Sequence, residues 1–185
     1  MGQAADELPL RLGVSACLLG ERVRYDGEHK RDAFLCDELG PRVEWVSVCP
    51  EVELGLGVPR ETVRLEQRAG EVRLVAPGSG RDLTAAMTLY AARRLDELAG
   101  LRLSGFVLKR DSPSCGLLRV RVHGPEGEAA RRTGRGLFAA ALRQRLPDLP
   151  IEEEGRLAEP HLRAAFLERV FAHHRLQQDR LRDGE

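Results

Sequence analysis

No stretch of this 185-residue chain approaches the run of about 20 apolar residues that a membrane span requires. No Cys-x-x-Cys pair occurs. Net charge is absent as well. The 29 Lys and Arg balance 29 Asp and Glu, which removes any general attraction to nucleic acid or to an anionic membrane. The first nine residues carry acids and lack the basic-then-apolar order of a secretory signal, so a cytoplasmic protein is expected. Lysine is nearly missing. Lys30 and Lys109 are the only two, a bias that GC-rich coding explains more simply than phosphate recognition does. The four cysteines, Cys17, Cys36, Cys49 and Cys115, are few for a disulfide framework, and a chain of this size does not need one. What is present, 42% apolar and 31% charged residues, is ordinary globular composition and excludes disorder.

Three β-prone segments stand out, and each runs toward a cysteine. Residues 11–16 lead into Cys17, with a turn at Gly20. Residues 43–48 are closed by Cys49-Pro50-Glu51, because proline cannot continue a central strand. Residues 103–109 are followed by Arg110-Asp111-Ser112-Pro113-Ser114-Cys115-Gly116. Apolar spacing predicts three helices. The first, 82–99, carries Leu83, Met87, Ala91, Leu95 and Leu98, with Asp82 as its cap. The second, 136–146, is ended by Pro147, and the third, 160–175, opens on Pro160 and buries Leu162, Phe166 and Val170. Residues 63–66 and 71–75 read as a hairpin at the periphery.

This alternation predicts an α/β fold: a single domain with a Rossmann-like, mostly parallel sheet flanked by helices. Its bounds are placed at residues 10–176, with flexible tails over 1–9 and 177–185. In such sheets ligands bind beyond the carboxyl ends of the strands, where strand order reverses. Cysteines spaced 32 and 66 residues apart therefore have a way to meet.

Any one of these thiols could be an inert buried group, since free cysteine is among the most buried residue types. Cys36, which follows no strand, is read that way. Three strand-end thiols together point to a metal. Zinc wants four ligands, or three and a water, often with histidine. His29, His123, His161, His173 and His174 share no ligand spacing with the cysteines, and neighbours such as His173 and His174 point about 100° apart on a helix. Three thiolates without a fourth ligand suit a cubane iron–sulfur cluster with one iron open, whereas electron-transfer clusters usually have four cysteines. An open metal position is a Lewis acid.

Glu51, two residues from Cys49, is placed for general-base work or is simply a loop carboxylate. Ser112 and Ser114 offer hydroxyls, or else turn chemistry around Pro113. Gly134-Arg135-Gly136 reads as a helix start or a phosphate cradle. Tyr25-Asp26-Gly27 is a turn, or else presents an aromatic face to a base.

Taken in order, these motifs resemble one known family. They are Ser15-Ala16-Cys17-Leu18-Leu19-Gly20; Arg24-Tyr25-Asp26-Gly27; Val48-Cys49-Pro50-Glu51 with Gly57-Val58-Pro59-Arg60; and Lys109 followed by Ser112-Pro113-Ser114-Cys115-Gly116. With Gly134-Arg135-Gly136 and Glu153-Glu154-Gly155-Arg156-Leu157, they look like the DUF523 family, whose characterised members are thiouracil desulfurases. The likeness runs from about residue 11 to 175.

The resemblance implies a [4Fe-4S] cluster held by Cys17, Cys49 and Cys115, with one iron not ligated by protein and free to take the substrate's sulfur. It implies replacement of the thiocarbonyl sulfur of a thiolated pyrimidine, 2-thiouracil-like, by oxygen, with sulfide released and no net redox change. Glu51 and Ser112, in preference to Ser114, match the family's catalytic acid and serine. The partner would be a small thiolated pyrimidine, nucleic acid entering only as thiolated tRNA. The rival reading is a non-catalytic iron–sulfur protein for sulfur handling or oxygen sensing. Two stretches depart from the family. Asp111 puts a carboxylate before the serine motif, which would alter substrate choice, and Leu54-Gly55-Leu56-Gly57 is less glycine-rich.

Overall fold

A computed structural model describes residues 8–124 and 128–183. Four strands form a fully parallel sheet: β1 (Arg11–Ser15), β2 (Glu44–Val48), β6 (Gly105–Leu108) and β9 (Ile151–Glu153), in the order β2-β1-β6-β9. β6 is buried along its whole length, as a parallel strand covered on both faces must be. Its side chains alternate between two cores. Phe106 and Leu108 face α2 (Thr84–Gly100) and α3 (Leu137–Arg145), packing in one cluster with Met87, Leu95, Phe138 and Leu142. Val107 faces the other way, with Leu12 and Val14 of β1, the short helical segment Phe34–Leu39, and Phe166 and Val170 of α5 (Pro160–Arg182). A Cβ on Gly13 would lie 2.2 Å from the Phe106 ring. Only glycine lets that ring lie across β1.

The helical periodicity reads through to the structure. Met87, Ala91, Leu95 and Leu98 form the buried stripe of α2, and Asp82 Oδ1 accepts the Thr84 N–H at 2.9 Å, satisfying one of the free amides of the first turn. α5 differs from expectation. It continues to Arg182, so residues 178–182, expected as part of a flexible tail, are helical. Arg, Gln and Leu are good helix formers, and Arg180 and Arg182 complement the negative end of the helix dipole. Of the other expected tail, residues 1–7 lie outside the described residues.

A second correction concerns the hairpin. β3 (Arg64–Arg68) and β4 (Glu71–Ala76) are antiparallel as expected, yet they are not peripheral. With β5 (Arg81–Asp82), β7 (Val120–His123) and β8 (Arg131–Gly134) they build a five-stranded mixed sheet, ordered β5-β4-β3-β7-β8. Leu65 and Leu74 are wholly buried in the same core as Phe106. The expected single sheet is therefore two. β7, β8 and β9 have four, four and three residues, too few for alternation to announce them.

The parallel sheet places the site. β2 lies on one side of β1 and β6 on the other, so strand order reverses at β1. Ser15 is in register with Val48, and Val14 with Val107. The carboxyl ends of β1, β2 and β6 thus open on one side, where ligands bind in sheets of this kind.

Candidate metal centre

Cys17 lies in the 3₁₀ turn Ala16–Leu19 directly after β1, closed by Gly20 at φ 93°, a left-handed conformation that glycine adopts freely. Cys49 precedes α1 (Pro50–Glu53), which opens on proline, and its N–H is pinned by Glu53 Oε1 at 3.0 Å. Cys115 is not at a strand end; the loop between β6 and β7 carries it back to the cavity. Cys17, Cys49 and Cys115 are free thiols lining one cavity of about 440 Å³. Cys36 is absent from its walls, and its Sγ donates instead to the Leu18 carbonyl at 3.5 Å. No histidine lines it.

Burial pushes the Cys17 thiol up to about 11, although Lys109 and Arg24 pull the other way. Burial raises Cys49 too, and holds Cys115 well above the ordinary thiol range against a stabilising hydrogen bond from Ser15. Cys17 and Cys49 each disfavour a charge on Cys115. Three such thiolates repel one another and need a cationic group between them to stay ionised. Their soft sulfur donors suit zinc, Cu(I) or iron–sulfur clusters. Three such thiols on one cavity, with no histidine in its walls, are a donor set that fits an iron–sulfur cluster.

Glu51 lines the same cavity. Its Oε2 accepts from Arg60 Nε at 3.0 Å and Nη2 at 2.7 Å, and its Oε1 accepts from Ser114 Oγ at 2.9 Å. Arg60 is 6% exposed and also donates to the Val23 and Gly57 carbonyls, so the clamp is itself fixed. A carboxylate has about four lone-pair sites; three are filled, which leaves one on Oε1. The two serines divide their work. Ser114 is wholly buried and donates its hydroxyl to Glu51. Ser112 lines the cavity, and its Oγ accepts the N–H groups of Ser114 (3.2 Å) and Cys115 (3.0 Å). With both lone pairs taken, its O–H is left as a donor.

Arg60 stands in a motif, Gly57-Val58-Pro59-Arg60, whose position in the sequence gave it no role. The two lysines are a second surprise. Lys30 and Lys109 both line this cavity, a placement that coding bias does not explain. Tyr25-Asp26-Gly27 is a turn, Gly27 N–H donating to the Arg24 carbonyl at 3.0 Å, and Tyr25 also borders the cavity. Asp111 pairs with Arg132 at 2.7 Å, and that hydrogen bond lowers its pKa.

Gly134-Arg135-Gly136 leads from β8 into α3, with Gly136 at the helix start. The amides of Leu137 and Ala139, at the start of α3, donate to the Pro113 and Ser114 carbonyls, so this helix terminus anchors the Cys115 loop. A Cβ on Gly136 would lie 2.4 Å from the Ser114 carbonyl oxygen and 2.8 Å from the Cys115 nitrogen. Gly136→Ala is therefore expected to cost about 1–3 kcal/mol, the usual range for overpacking. Urea unfolding measures this, and an unchanged midpoint would mean that the loop yields freely.

A family model described as 2-thiouracil desulfurase matches residues 12–154. An uncharacterized protein of Bacillus subtilis (strain 168), YbbK, is 32% identical over 136 residues, which span 71% of this chain and 88% of YbbK. Among solved structures, a [4Fe-4S]-dependent thiouracil desulfidase, TudS, superposes with a TM-score of 0.67 at 34% identity, covering 84% of this chain and 97% of that one.

Proposed function

The chain belongs to the 2-thiouracil desulfurase family, and from that premise we propose that it is an enzyme replacing the thiocarbonyl sulfur of a thiolated pyrimidine with oxygen, at a [4Fe-4S] cluster held by Cys17, Cys49 and Cys115. The observation that carries the reading is the convergence of three thiols, two buried and one half-buried, and one oriented carboxylate on a single cavity. When bound, the cluster supplies a thiophilic Lewis acid at the iron without a protein ligand, which draws electron density from a C=S carbon.

The remaining chemistry is assigned to the chain. Glu51 takes a proton from water at the free lone pair of Oε1 as the water oxygen bonds to the thiocarbonyl carbon. Ser112 directs its O–H to a ring nitrogen. The C–S bond breaks, sulfur leaves as hydrosulfide with the second proton of the water, and the water oxygen becomes the carbonyl. Oxidation states balance, so no external electron donor enters. Arg60 and Ser114 aim Glu51 and do not touch the substrate. A protein that only stored sulfur or sensed oxygen would need none of this aiming.

Anaerobic reconstitution followed by sulfide assay tests the reading. Sulfide and the oxygenated pyrimidine should form in equal amounts from 2-thiouracil or from another member of a panel of thiolated bases, nucleosides and nucleotides. A chain that binds the cluster but turns over none of them would favour the non-catalytic alternative.

A further inference from the structure

The run Glu152-Glu153-Glu154 at the end of β9 and the start of α4 (Glu154–Leu157) has no place in the chemistry above. Glu153 is 6% exposed, and among the described residues no cation pairs with it. A buried carboxylate without a counter-ion is costly unless backbone donors satisfy it. Here a single oxygen, Oε1, accepts the N–H of Leu117 at 2.7 Å and of Leu118 at 3.0 Å, two and three residues past Cys115. Glu154 holds the other end of the same loop: it accepts the Arg110 N–H at 2.7 Å and pairs with the Lys109 ammonium. Register explains the reach, because Glu153 lies beside Leu108, the last residue of β6, where the loop departs.

The loop needs such holding. Asp111 and Arg119, at its two ends, sit at φ 59° and 53°, in the left-handed region that non-glycine residues rarely adopt. A segment with strain at both ends does not keep its shape unaided. Charge-assisted bonds to adjacent amides are among the stronger ways to fix a backbone.

We propose that Glu153 and Glu154 form a brace, with Glu153 the positioning residue that fixes the Cys115 loop in its ligand-presenting shape and so governs cluster retention. This rests on the reading that Cys115 is a cluster ligand. Groups behind a metal ligand commonly change metal affinity roughly 10–100-fold when removed, and Glu153→Ala is expected in that range.

The test uses the full chain. In metal-free protein the Leu117 and Leu118 amides should be strongly protected from hydrogen exchange. Glu153→Ala should release them while circular dichroism and the thermal midpoint stay near those of the unchanged protein. After anaerobic reconstitution, a chelator should strip iron from Glu153→Ala about tenfold faster or more, and Glu153→Gln, which keeps an acceptor oxygen, should recover most of the retention. Unprotected amides at 117 and 118, or full chelator resistance in a folded Glu153→Ala, would overturn the brace. If the alanine variant does not fold, amide protection in the unchanged protein decides. Failure of that protein to take up a cluster would overturn the metal-centre reading, and the exchange result, which needs no iron, would still decide the brace.

Discussion

Cys17→Ser, Cys49→Ser and Cys115→Ser should each yield a chain that holds no stable iron–sulfur cluster, while Cys36→Ser holds it as the unchanged protein does. Each of the three thiols reaches the cavity from a different element, the turn after β1, the residue before α1 and the loop after β6. No two can shift together to cover a lost third. The nearest spare, Cys36, is bonded to the Leu18 carbonyl and stands outside the cavity wall. A serine hydroxyl is a hard donor that does not ionise in this range, so it replaces the shape of the thiol and not its bond to iron. The fold should persist, because the change is small in volume and a buried hydroxyl costs about 1–3 kcal/mol when it finds no partner. Iron and acid-labile sulfide per chain are the readouts. A cluster that survived loss of Cys49, yet vanished with Cys36, would sink the ligand assignment.

Glu51→Gln is expected to keep the cluster and lose about 10²–10⁴-fold in turnover, the typical cost of a missing general base. Glutamine preserves the outline of the side chain and keeps one acceptor oxygen, for Arg60 or for Ser114 but not for both, and it cannot take a proton from water. The substitution also leaves the Arg60 guanidinium, 6% exposed, beside a neutral amide. Unpaired buried charge is destabilising, so a lower melting temperature should accompany the lower rate. The bonds from Arg60 to Val23 and Gly57 should hold the arginine in place. Single-turnover sulfide release at matched cluster occupancy separates slow chemistry from a damaged site. Ser112→Ala should fall between the unchanged protein and Glu51→Gln, since a hydrogen bond to the ring contributes less than a lost base. Near-normal turnover in Glu51→Gln would remove this carboxylate from the mechanism and leave the case for catalysis resting on family membership.

Much of this site was legible in the linear sequence, for local reasons. Pro50 had to end β2, and small residues and Gly20 had to close β1, so the positions of Cys17 and Cys49 followed from turn chemistry. The stripe of α2 followed from its period, as did Phe166 and Val170 of α5, although Leu162, expected with them, is only half-buried. Glu51 stood two residues from a cysteine, and that proximity needed no fold to be noticed. The division of labour between Ser112 and Ser114 did not follow, because both flank Pro113 and their roles depend on partners 63 and 3 residues away.

By itself, then, the sequence determined where the strands leading to Cys17 and Cys49 stop and which helix faces turn inward; both depend on neighbours within a turn or a strand. Tertiary structure alone decided the rest. Nothing in residues 63–76 tells that β3 will pair in parallel with β7, more than fifty residues on, which turned an expected outlying hairpin into the middle of a second sheet. Nothing near Arg60 tells that its guanidinium will clamp Glu51, or near Glu153 that its carboxylate will hold amides 35 and 36 residues earlier. Such contacts arise only when strand register brings distant segments together, and a hydrogen-bond partner is chosen by distance in space and not by distance along the chain.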